Sequence, residues 1–192
     1  MMSVLFATAS KVFKETLPVV IGATIGELIA GIVLDSMQES LLLLPGLIVL
    51  IPAVLDLRGC ISSALGSRLG SALHLGLVGW DKGMNSELKA NIQASLLLSI
   101  ATSIFVGAVA FLVNNALGLP TAGLIELVAI SFISGTLAAI TQVTFTIIVS
   151  FSSYRKGIDP DNVTIPAMAT IGDILSISYL FIVASLLGGF LI

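Results

Sequence analysis

The chain has 192 residues, 57% of them hydrophobic and only 10% charged, with a net charge of −3 and a mean hydropathy of +1.14. Soluble domains carry about 25% charged residues, so this is an integral membrane protein; its eight Lys and Arg, scattered between apolar stretches, make no basic face for nucleic acid. Cys60 is the single cysteine and His74 the single histidine, which excludes an internal disulfide and a structural zinc cluster of the usual ligands.

Met1 to Ser10 is apolar but too short to span a bilayer, and Lys11 and Lys14 follow it rather than precede it. That order argues against a signal peptide and reads as an interfacial lead-in. Leu17 to Leu34 is the first span, close to the ~20 residues a bilayer core requires. Gly22, Gly26 and Ala30 lie four apart and offer a face for close helix approach. Glu27 in mid-span either lines a path or packs in its neutral form as a hydrogen-bond donor. Asp35, Gln38, Glu39 and Ser40 form an acidic connection.

The second segment, Leu41 to about Leu65, contains Pro45-Gly46, Pro52 and then Asp56-Leu57-Arg58-Gly59-Cys60. Prolines and glycines beside charges predict a broken helix, which membranes tolerate where protein or a watery cavity satisfies the freed backbone groups. Such breaks present carbonyls to cations. Asp56 and Arg58, two apart, do not face each other on a regular helix; Asp56 is read either as part of a cation path or as the ion-pair partner of an arginine on a neighbouring element. His74 reads as a structural or interfacial residue, and Trp80-Asp81-Lys82-Gly83 as an interface anchor and turn. The third span runs from about Ile92 to Val113 and the fourth from Ala122 to about Phe151. The fourth is polar for a lipid-facing helix, with Ser131, Ser134, Gly135, Thr141, Gln142 and Thr144, and burial in a bundle explains it.

After Arg155 and Lys156 comes Asp159-Pro160, and from Ile165 to Ile192 the only ionisable residue besides Tyr179 is Asp173. A carboxylate at membrane depth costs roughly 2.5–3.5 kcal/mol and usually faces an interior or watery path. On a helix, Asn162, Pro166, Ala169, Asp173 and Ser176 form one seam of small or polar groups. It is either an ion site or a packing seam. Five spans result, with every Lys and Arg except Arg58 on one side. The positive-inside rule then puts the N-terminus in the cytoplasm and the C-terminus outside.

Two stretches carry a family resemblance. Pro45-Gly46-Leu47-Ile48-Val49-Leu50-Ile51-Pro52-Ala53-Val54-Leu55-Asp56-Leu57-Arg58-Gly59, followed by Ser67-Arg68-Leu69-Gly70-Ser71-Ala72-Leu73-His74-Leu75-Gly76, resembles the second segment of the MgtE-type divalent-cation transporter membrane domain. The likeness is to its archaeal and eukaryotic solute-carrier branches. The last helix resembles that family's too, with Asp159-Pro160, Pro166, Thr170 and Asp173 in order. The resemblance implies a five-helix protomer that pairs as a homodimer in the cell membrane, with an ion path between second and fifth helices. It places the magnesium-binding carboxylate at Asp173. Cys60 stands where many members have Asn. No soluble sensor domain is expected in residues 1–192, which read as a single transmembrane unit.

The expected substrate is Mg2+, with other divalent cations open, held by Asp173, Thr170 and Asn162 on the last helix and by carbonyls in the stretch Asp56, Gly59 and Cys60 on the second. Magnesium takes oxygen ligands and dehydrates reluctantly, so carboxylates and carbonyls suit the hydrated ion. An enzyme is not expected: no Gly-x-Ser-x-Gly elbow surrounds a serine, and a single His forbids His-Glu-x-x-His. The other readings are a structural or regulatory membrane subunit and, further off, an intramembrane enzyme.

Overall fold

The computed structural model describes residues 2–37 and 44–191. Within them the chain forms α1 (Met2–Ser36), α2 (Leu47–His74), α3 (Ser86–Ala116), α4 (Leu124–Arg155) and α5 (Pro160–Leu191), with a 3-10 turn at Trp80–Lys82 before α3. All five helices are long and apolar enough to cross a membrane, and no strand occurs among the described residues. The all-helical, five-span architecture read from hydropathy is therefore what the protein has. The shortest helix has 28 residues and the longest 35. At about 1.5 Å per residue each outruns a hydrocarbon core of roughly 30 Å.

The lead-in before Leu17 is not separate from the first span; it is the start of α1. No glycine or proline interrupts it, and Pro18 forfeits only the hydrogen bond to the carbonyl of Lys14. The second helix also differs from expectation, because α2 is continuous through Pro52 and through Asp56 to Cys60. Pro52 is exposed and removes one bond, to the carbonyl of Ile48, which does not stop a helix of 28 residues. Among the described residues the irregular backbone lies just ahead of α2, where Gly46 takes φ 97°, a left-handed conformation that favours glycine. There the protein satisfies the exposed groups. The Ala122 N–H donates to the Pro45 carbonyl at 2.7 Å, and the Asn114 side chain reaches the Gly46 carbonyl at 3.5 Å. The expected start of the second segment at Leu41, and the acidic connection from Gln38 to Ser40, lie outside the described residues.

Successive helices α2 to α5 run antiparallel, and side-chain contacts fix their register. Arg58 and Arg68 of α2 donate to Ser103 and Ser95 of α3. Ser131 of α4 donates to the Ser103 carbonyl at 2.6 Å, and a Cβ on Gly107 would sit 2.7 Å from the Val128 backbone, so α3 and α4 meet backbone to backbone. Gly66 and Gly70 of α2 lie against Thr164 and Asp161 of α5. Two apolar clusters fill the interior. One holds Leu47, Leu50, Val54, Leu127, Ile130 and Leu180, and the other Leu65, Leu69, Leu73, Val143 and Phe151. Between them is a buried polar layer with Arg58, Ser62, Ser103, Ser134 and Gln142.

Helix α1 stands apart and packs mainly on α5, parallel to it. The start of α1, the end of α2, the start of α3, the end of α4 and the start of α5 share one end of the bundle. His74 faces Asp159 at 3.8 Å and packs edge-on to Tyr154, while Trp80 packs edge-on to Phe151. His74 thus has structural partners at that end. Every Lys and Arg except Arg58 lies toward that end.

Candidate cation site

The site is built on the α1–α5 contact. Helix α5 begins after Asp159, whose Oδ1 accepts from the Asp161 N–H at 3.1 Å in the first turn. Pro166 lies within α5 and leaves the Asn162 carbonyl without its helical donor. On the face toward α1, three of the predicted residues line up. Asn162 donates from Nδ2 to Glu15 Oε2 at 2.8 Å, and Glu15 lies 3.8 Å from Lys11 on the same helix. Thr170 is 6% exposed, donates to the Ala23 carbonyl at 3.2 Å, and lays its methyl on Gly26. A Cβ on Gly26 would collide with that methyl, so glycine there is what allows the two helices to close. Gly22 takes no part, since nothing lies within 4 Å of where its Cβ would be.

Asp173, half-buried, comes one turn below Thr170 and faces the carboxyl of Glu27 from α1, close enough for the two charges to interact. Two carboxyls this close repel unless a proton or a cation lies between them. Glu27 was left undecided by sequence alone, and the structure makes it the partner of Asp173. The signal was present: Glu27 adjoins Gly26 on a helix whose small residues, Ala23, Gly26 and Ala30, mark the face that meets a neighbour. Identifying that neighbour needed the fold.

The three predicted α2 residues are elsewhere. Asp56 and Cys60 are exposed, and a Cβ on Gly59 would meet nothing within 4 Å. They share an outward stripe with Pro52, Ala53, Ala64 and Ser67. Within one protomer the structure does not bring them to Asp173. Nor does Asp56 take an arginine: the guanidiniums of Arg58 and Arg68 go to Ser103 and Ser95. Arg58 is 3% exposed, and its Nε and Nη1 have no hydrogen-bond partner.

Behind Asp173 lies a contact that sequence reading passed over as ordinary burial. Gln142 of α4 donates from Nε2 to the Gly172 carbonyl at 3.0 Å and to Ser176 Oγ at 3.1 Å, and its Oε1 accepts from Ser62 Oγ of α2 at 2.8 Å. Higher on the same helix pair, Ser150 and Thr164 hydroxyls pair at 3.2 Å. Glu126, near the start of α4, is a cap, its Oε2 accepting from the Gly123 N–H at 2.9 Å. No group of three or more His, Cys, Asp or Glu poised for a metal occurs among the described residues.

Comparison with known proteins bears on the family. Residues 51–183 match the family model MgtE, described as divalent cation transporter. Solute carrier family 41 member 2 of Xenopus laevis is 29% identical over 167 residues, covering 82% of this chain and 29% of the relative. The Homo sapiens protein of that name is 28% identical over 170 residues, covering 82% and 28%. Solute carrier family 41 member 3 of Rattus norvegicus is 25% identical over 169 residues, covering 84% and 36%. The chain thus spans little more than a third of these relatives at most. No solved structure matches. The match over residues 51–183 takes in α2 from Ile51, all of α3 and α4, and the part of α5 that bears Asp173, and on it the chain belongs to the MgtE family of divalent cation transporters.

Proposed function

We propose that this protein carries divalent cations, magnesium foremost, across the membrane, using Asp173 as the carboxylate that receives the ion. The observation that carries the reading is the Glu27–Asp173 carboxyl contact at membrane depth in a chain of this family. A single intramembrane carboxylate is costly and two facing ones more so, unless a positive charge lies between them. A hydrated divalent ion supplies that charge, and the Thr170 hydroxyl and the Asn162 amide extend the oxygen-bearing face along α5. Membership of a transporter family argues for transport rather than enzymatic or purely structural work.

The remaining proposed ligands, Asp56, Gly59 and Cys60, point away from the protomer's own α5. A second copy packed on that outward stripe would put them on an ion path between α2 and α5, which supports a homodimer as the working unit. The grouping of basic residues at one end supports the orientation with that end, and the N-terminus, in the cytoplasm. The test is magnesium influx into proteoliposomes containing the purified chain and an internal magnesium dye, with and without a sodium gradient. Influx above that of protein-free liposomes is expected; its absence under both conditions overturns the reading.

A further inference from the structure

We propose that Gln142 is a positioning residue for the cation site, a latch that sets the rotation of α5 and thereby aims Asp173. This deepens the cation-path reading and rests on it. Gln142 is 2% exposed, and its amide spans three helices: Ser62 on α2, its own α4, and Gly172 with Ser176 on α5. The orientation of that amide is chemically determined. A main-chain carbonyl only accepts, so Nε2 faces Gly172 and Oε1 is left to take the Ser62 hydroxyl. Both Nε2 donors are used.

The grip falls on the residue immediately before Asp173. Pro166 removes one rung of the α5 ladder above it, the bond to the Asn162 carbonyl. Helix α5 is tied to α4 on both sides of that missing rung. Ser150–Thr164 holds the part before Pro166, and Gln142 holds the part after it. Gly172 is the residue that admits the amide, because a Cβ there would sit 3.2 Å from Nε2 and 3.4 Å from Cδ. A rotation of α5 that breaks the latch would also carry Asp173 away from Glu27. Gln142 touches neither the ion nor Asp173 and acts only through the backbone.

The experiment measures magnesium influx against concentration in proteoliposomes for wild type, Gln142→Leu, Gly172→Ala and Asp173→Asn, with folding checked by melting in detergent. Gln142→Leu fills the space without hydrogen bonds and is expected to raise KM for magnesium about tenfold while Vmax per folded protein stays within about twofold. Gly172→Ala, which displaces the amide slightly, is expected to raise KM in the same direction by about threefold. Folded Gln142→Leu with a wild-type KM overturns the latch, whatever its Vmax. Should Gln142→Leu fail to fold, a wild-type KM in Gly172→Ala overturns it equally. Asp173→Asn separates the two ideas: if it transports normally the cation-path reading fails, whereas an inactive Asp173→Asn beside a normal Gln142→Leu removes the latch alone.

Discussion

A carboxylate on α5 would be expensive alone, and the facing carboxyl of Glu27 makes the pair unfavourable until something positive joins it. That sets the roles of the two residues apart. Asp173 is half-buried against α1, while Glu27 is exposed on a helix packed mainly on α5. On the proposed reading, Asp173 is therefore the residue that receives the ion, and Glu27 the one that strengthens or steers. Glu27→Gln keeps the shape and removes one negative charge. It is expected to raise KM for magnesium about three- to tenfold, corresponding to roughly 0.7–1.4 kcal/mol, with Vmax preserved. The check is the concentration dependence of influx; an unchanged KM would make Glu27 a packing residue.

At the scale of the helices, small residues decide how close the backbones come. Gly107 brings α3 against the α4 backbone at Leu127–Val128, and Gly26 brings α1 against Thr170. Dispersion and short polar contacts drive helix association in lipid, where interhelical hydrogen bonds contribute on average only about 0.6 kcal/mol each. Close approach therefore matters more than any one bond. Gly107→Ala places a methyl where α4 backbone already is, and is expected to cost about 1–3 kcal/mol, read as a lower melting temperature in detergent. Because Gly107 lies away from Glu27 and Asp173, the folded fraction should keep its wild-type KM. The number and order of the helices were legible in the sequence, because each span is a long apolar run bounded by charges or Gly and Pro. Their ends were not. Pro52 looks like a break in a string of letters, yet it removes one hydrogen bond from a helix of 28 residues.

For the molecule as a whole, the site divides into a legible half and a hidden half. Asp173, Thr170 and Asn162 stood out because charge and polarity are rare in an apolar span, and the fold aligns all three on α1. Glu27 and Gln142 did not stand out as their partners, because helix pairing is a property of the bundle and not of either segment. Asp56, Gly59 and Cys60 face outward from a single chain, so their part depends on what packs there. If a second copy does, and a divalent cation neutralises the carboxyls near the seam, magnesium should raise the melting temperature of the detergent-solubilised dimer by several degrees relative to EDTA, since ligand binding to the native state alone adds stability with concentration. Identical melting in both would count against a cation site that ties the assembly together.

The most direct measurement is the rate of magnesium influx into proteoliposomes for Asp173→Asn beside wild type at matched, folded protein. The substitution retains volume and hydrogen-bonding capacity and deletes only the charge. The expected result is a correctly inserted, stable protein whose influx falls at least about tenfold, toward that of empty liposomes. Influx at the wild-type rate would show that the carboxylate on α5 packs helices together and does not receive the ion.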